Sequence, residues 1–173
     1  MSLIIKDKIA QLMRGYPTVS DKYNVQGGIN EGPEALTFGD MITFGSQTGY
    51  YKKATSLKKI DDFAGFVLAT NVKLEDTWFG TNLFGPQTVA GEAFNVFMNG
   101  FIAITLKSDT DVSKIKEGTK VGVTLATTDI VTSDKIDGSA IVELPGYEFT
   151  GIYDYQTLAN GQTMLLAEVR KIC

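Results

Sequence analysis

The run Gly91–Leu106, GEAFNVFMNGFIAITL, constrains the fold more than any other part of the chain. Phe94, Val96 and Met98 recur at every second position, and Ile102, Ile104 and Leu106 do the same further on. Such alternation places one set of side chains on one face of a pleated strand. Asn99-Gly100 interrupts the run with two residues that tolerate positive φ, as a two-residue hairpin turn requires. The stretch is therefore expected to be a β-hairpin that turns at Asn99-Gly100.

Much of the chain repeats this pattern on a smaller scale. Leu36–Phe44, Phe63–Val72, Lys120–Leu125, Asp129–Thr132 and Ala140–Leu144 read as strands. Gly45–Gly49, Asp137-Gly138 and Pro145-Gly146 read as turns between them. A closing hairpin is expected from Phe149 to Ile172, with Tyr153 and Tyr155 in its first strand and Asn160-Gly161 at its turn. Short strands separated by glycine-rich turns define a mainly β chain, folded as a small antiparallel β-sandwich or barrel. Ahead of the strands, Ile5, Ile9, Leu12 and Met13 have helical spacing between Leu3 and Arg14, and Gly15 and Pro17 would end that helix. Tyr16 to Pro33 is polar and broken by Gly27-Gly28 and Gly32-Pro33, the composition of a loop or extended segment. The expected organisation is an N-terminal short helix or extended arm over residues 1–32 and one β-domain over 33–173.

Residues 73–89 stand apart. They hold the single tryptophan in a glycine-linked cluster with Trp78, Phe79 and Phe84. Long loops rich in large apolar groups are often functional, so these side chains either fold back over the core or meet a partner.

Composition excludes several classes. There are 20 Asp and Glu against 16 Lys and Arg, a net charge of -4, which argues against non-specific binding of nucleic acid. No run approaches the roughly 20 apolar residues of a membrane-spanning helix. The sole cysteine, Cys173, allows no intrachain disulfide, and the first residues lack the apolar core of a signal peptide, so synthesis in a cytoplasm is expected. Histidine is absent, which removes the commonest general base and zinc ligand.

Motifs for chemistry fail at the residues that matter. Gly80-Thr-Asn-Leu-Phe-Gly85 has the glycine spacing of a phosphate loop but continues with Pro86-Gln87 where lysine and a hydroxyl are needed. Asp109, Asp111 and Ser113 begin like a calcium loop, yet Lys114 and Lys120 occupy the glycine and bidentate glutamate positions. The carboxylates at Asp61-Asp62, Glu75-Asp76 and Asp154 read as surface charge. No cofactor, metal or catalytic residue is expected. Tyr50, Tyr51, Trp78, Tyr153 and Tyr155 could stack on sugar rings if they formed one exposed strip, which keeps a carbohydrate-binding β-sandwich module as the alternative reading.

Several segments in order resemble the capsid cement, or head decoration, proteins of tailed bacteriophages. They are Tyr16-Pro17, Ala64–Ala69, the strand region Phe94–Ile104, Glu117–Val123, Pro145–Phe149 and Leu165–Val169. The resemblance implies a non-enzymatic structural virion protein on the capsid exterior that bridges neighbouring major capsid subunits. It also implies a homo-oligomer, with a trimer favoured, and no nucleic-acid or membrane partner. On this reading the N-terminal arm orders on the capsid, and Tyr16, Pro17, Trp78, Phe79 and Phe84 are the candidate partner-binding residues.

Overall fold

The computed structural model describes residues 12, 14–18, 23–69, 87–157 and 160–171. Among these residues nine strands run in chain order: β1 (Asn24–Asn30), β2 (Met41–Phe44), β3 (Tyr50–Lys53), β4 (Phe63–Leu68), β5 (Ala93–Leu106), β6 (Lys120–Thr124), β7 (Ile130–Thr132), β8 (Ile141–Thr157) and β9 (Thr163–Lys171). The expected mainly β class is observed. The expected N-terminal helix, Leu3 to Arg14, falls almost wholly outside the described residues.

The strand order is β1-β3-β2-β4-β5-β9-β8-β6-β7, with a further pairing of β1 to β5. That extra pairing closes β1, β3, β2, β4 and β5 into a five-stranded barrel. Closure pairs both edges of the small sheet. Every pairing is antiparallel except β1 with β3, a short parallel contact of Ile29 with Tyr50 and Asn30 with Tyr51. The remaining strands, β9, β8, β6 and β7, extend from β5 as a second antiparallel sheet.

The hairpin expected at Asn99-Gly100 is not formed. β5 is one strand of 14 residues that passes straight through this dipeptide. Its first half pairs with β1 and β4 in the barrel, and Gly100–Leu106 pair with β9 in the second sheet. Met98 is an extra residue here, because Val25 faces Phe97 while Asn24 faces Asn99. One inserted residue shifts the alternation by one place, the effect of a β-bulge. Phe94 and Val96 thus point into one cluster with Ile42, Tyr51 and Val67, the barrel interior. Phe97 points the other way and shares a second, larger cluster with Ile102, Ile104 and Leu106. Gly100 has φ 109°, a backbone that side-chain-bearing residues rarely adopt. A glycine at positive φ is found beside some bulges as well as in hairpin turns, so the same dipeptide suits either outcome.

The larger cluster joins the two bodies. Phe66 and Phe97 face each other on the outside of the barrel, and Tyr147 of β8 meets them edge-on or tilted, with ring centroids 5.5 and 6.4 Å away. Phe63 completes the group at 5.8 Å from Tyr147. Such aromatic pairs add about 0.5–1.5 kcal/mol each beyond the area they bury. Burial raises the pKa of the Tyr147 phenol.

Tyr147 reaches this position through a second irregularity. Pro145-Gly146 does not turn the chain as expected; β8 runs on for 17 residues. Lys120 faces Glu148 while Gly122 faces Glu143, so the extra residues of β8 bow outward. Pro145 and Gly146 are exposed on the bow, and Leu144 and Tyr147 on its two sides are both buried. The loop before β8 is closed by Asp137, whose carboxylate accepts the backbone N–H groups of Ser139, Ala140 and Ile141 at 2.9–3.1 Å, which hold it well below the usual carboxylate range.

Gly27-Gly28, read as part of a loop or arm, instead lies in β1 as a barrel stave. A Cβ on Gly28 would stand 2.7 Å from the Tyr51 ring and 3.2 Å from that of Phe94. The absent side chain is what lets these two rings pack edge-on at 5.9 Å. The terminal hairpin matches the expectation: β8 and β9 pair from Tyr147–Lys171 to Thr157–Thr163.

Replacing Gly100 by valine is expected to destabilise the protein by about 2 kcal/mol, seen as a lower urea midpoint. Gly100→Ala should fall between valine and the parent. A valine variant with an unchanged midpoint would contradict the bulge.

Candidate functional site

Of the five candidate partner-binding residues, two are described. Tyr16 and Pro17 lie in a strap, Arg14–Thr18, laid along the edge of the second half of β5. Gly15 N–H donates to Ala103 O at 2.8 Å, Ala103 N–H to Tyr16 O at 3.1 Å, and Thr18 N–H to Phe101 O at 3.3 Å. Pro17 stands opposite Ile102, where its missing N–H costs the ladder little because this is an edge. Tyr16 is half-buried, packs edge-on against Phe38 at 5.9 Å, and its phenol pKa is raised by burial.

Trp78, Phe79 and Phe84 lie outside the described residues, but the residues on either side of that stretch, Ala69 and Gln87, are described. The chain leaves β4 at Ala69, whose N–H donates to Gly15 O at 2.8 Å. It returns at Thr88, which exchanges two backbone hydrogen bonds with Leu36. Fully buried Asn30 pins that return: its Nδ2 donates to Thr88 O and Glu34 O, both at 2.9 Å, and its Oδ1 accepts from Gly32 N–H. The strap carrying Tyr16-Pro17 is therefore bonded to Ala69, the last described residue before the aromatic stretch.

An ionic anchor holds the strap. Asp40 is buried at the end of the turn before β2. Its Oδ1 lies 2.7 Å from Arg14 Nη2, and its Oδ2 lies 3.0 Å from Lys53 Nζ and accepts the Thr37 N–H at 2.8 Å. Arg14 also donates to Thr37 Oγ1 at 3.0 Å. A pocket of about 210 Å³ opens beside this anchor, between barrel and second sheet, lined in part by Lys53, Thr105, Lys107 and Thr128. Its cations already face carboxylates of the same chain, Lys53 on Asp40 and Lys107 on Asp109. No motif announced the anchor, because its partners lie 26 and 13 residues apart in sequence.

Other apolar groups stand exposed. Phe44 at the end of β2 is 61% exposed, and Tyr153 and Tyr155 on β8 are 42% and 54% exposed. The rings of Tyr153 and Tyr155 are 6.4 Å apart but nearly perpendicular, at 88°. Tyr51 is buried in the barrel. These four tyrosines, Tyr50 included, do not make the single flat strip that stacking on sugar rings requires. Among the described residues no group of three metal-ligating side chains converges, and no helix is long and apolar enough to cross a membrane. Asp111, from the calcium-like stretch, caps a short 3-10 turn by accepting the Ser113 N–H at 3.0 Å.

No protein-family model matches the chain, and no curated protein matches it by sequence. Its architecture does have a counterpart among solved structures. A chain in the structure titled "The capsid of Myoviridae Phage XM1" is similar with a TM-score of 0.53 and 15% identity, over 96% of this chain and 96% of that one. The fold is thus a phage capsid-related one, and the two chains are of nearly equal length.

Asp40→Ala leaves Arg14 and Lys53 without their shared carboxylate, and breaking a largely buried pair of this kind is expected to cost about 3 kcal/mol. Lys53 is the more exposed partner, so Lys53→Met should cost less than about 1 kcal/mol. Urea melts of the two variants measure both, and equal midpoints would contradict a strap anchored on Asp40.

Proposed function

We propose that this protein is a structural component of a tailed-phage virion that binds the outside of the capsid and cements neighbouring major capsid subunits. The observation that carries the reading is the end-to-end likeness of fold to a phage capsid chain of nearly equal length. The segmental resemblance to cement proteins points the same way. The barrel and second sheet supply a rigid body, and the contact surface is assigned to the aromatic loop 73–89, with Trp78, Phe79 and Phe84, together with Tyr16-Pro17. A bond of this kind needs no catalytic group: apolar and aromatic side chains buried across two coat subunits supply it. The protein acts as a homo-oligomer, a trimer by the resemblance, which places several such contacts around one capsid position. The carbohydrate-binding alternative loses support from the crossed orientation of Tyr153 and Tyr155 and the burial of Tyr51.

Purified protein added to expanded heads of its own phage is expected to co-sediment with them and to raise their calorimetric melting temperature. Trp78→Ala should weaken co-sedimentation while leaving the melt of the free protein unchanged. Heads that neither retain the protein nor gain stability would overturn the proposal.

A further inference from the structure

The seam between β1 and β3 is the shortest in the barrel, with two residue pairs, Ile29 with Tyr50 and Asn30 with Tyr51. β1 starts earlier, so Asn24–Gly28 run on beyond the start of β3. Along a strand, backbone groups turn alternately to its two sides. Ile29 turns its N–H to Gly49 O at 2.9 Å and Glu31 turns its N–H to Tyr51 O at 2.8 Å, both on the β3 side. Asn30 turns its N–H to Glu92 O, on the β5 side. By the same alternation Val25 and Gly27 turn their N–H and C=O groups to the β3 side, where no described residue pairs with them. Residues 24–27 are all exposed.

An open strand edge is a template for pairing with another chain, and edges are ordinarily guarded by charge, by proline or by a covering segment. Other edges of this fold are covered. The strap lies along the second half of β5, and Ile130 O of β7 accepts the Lys107 N–H at 3.1 Å. Residues 24–28, Asn-Val-Gln-Gly-Gly, hold neither a charge nor a proline.

This edge complements itself. About a two-fold axis at Gln26, an antiparallel second copy sets Val25 opposite the partner's Gly27, and Gly27 opposite the partner's Val25. Each pair exchanges two backbone hydrogen bonds, which satisfies all the open groups at once. Opposed residues also share a face. Val25 is 46% exposed, and a Cβ on Gly27 would meet no described atom within 4 Å. Each valine side chain thus enters the space that the facing glycine leaves open. At the axis Gln26 faces Gln26, so no like charges are brought together. Phe44 adds apolar surface at this seam: it is 61% exposed, and its ring lies 6.1 Å from that of Tyr51, which packs against Gly28.

We propose that two copies of this chain pair through β1, antiparallel and centred on Gln26, and so join their barrels by one continuous ladder. A contact this short falls below the roughly 1,200 Å² of total area at which stable interfaces begin, so the dimer forms and dissociates with concentration. The pairing does not rest on the capsid reading. A two-fold contact closes on itself, and it is separate from the trimer that the resemblance implies.

The test begins with sedimentation equilibrium of the full chain, which should pass from monomer to dimer as concentration rises. Gln26→Lys sets like charges opposite each other and should weaken dimerisation by about fivefold or more, with the urea midpoint unchanged because this side chain is exposed. Covalent capture checks the register. With Cys173→Ser removing the native thiol, Gln26→Cys places two thiols across the axis, where the Cα atoms of a non-hydrogen-bonded pair stand about 4.5 Å apart, within disulfide reach. Oxidation by added diamide should link this variant into dimers well before Thr163→Cys, an exposed control on the terminal hairpin. A parent that stays monomeric overturns the proposal and leaves the edge to a segment of another protein. Association indifferent to Gln26→Lys, or equal linking of the two cysteine variants, overturns it as well. None of these measurements uses heads, so the cement reading is judged separately.

Discussion

The structure depends on a single strand that serves two β-bodies. β5 closes the barrel with its first half and founds the second sheet with its second half. Each half needs its own side chains aimed at its own core, and a regular strand of strict alternation cannot do this. The bulge at Met98, with Gly100 in a backbone reserved for glycine, shifts the alternation between the halves. Phe97 and Ile102 then share one core while Phe94 and Val96 fill the other. Without that shift, Ile102, Ile104 and Leu106 would face away from Tyr147 and Phe149.

The interface between the bodies is built on the same logic. Tyr147 sits among Phe63, Phe66 and Phe97 because the bow at Pro145-Gly146 re-aims it. The strap at Arg14–Thr18 then ties the two bodies from outside. It bonds to β5 in the second sheet, to Ala69 at the end of β4, and through Arg14 to the buried Asp40 before β2. Barrel, second sheet and strap therefore meet along β5, with Ala69 at the end of β4 bonded to the strap at that junction.

Much of this was legible in the sequence. The period-two pattern marks β5 correctly, and the terminal hairpin follows from alternating tyrosines and Asn160-Gly161. What local chemistry could not resolve is whether a glycine at positive φ turns the chain or bulges it. Asn99-Gly100 and Pro145-Gly146 have turn composition, but tertiary pairing on both sides of each keeps the strand going. Gly28 misled for another reason: it lies in a strand because two aromatic rings occupy the space of its side chain, and a glycine pair ordinarily signals a loop. Asp40 carried no signal at all, since its cations come from two distant segments. Of the candidate site, Tyr16 and Pro17 were marked by family resemblance, but the bonds of their strap to β5 and to Ala69 are a product of the fold.

The central claim is that β5 is one strand shared by two bodies. Backbone nuclear Overhauser contacts test it most directly. The account predicts cross-strand contacts of Phe97 with Val25 and Phe66, and of Ile102 with Val169, in the same molecule. Contacts between Met98 and Phe101 across a tight turn, with those of Ile102 to β9 absent, would contradict it.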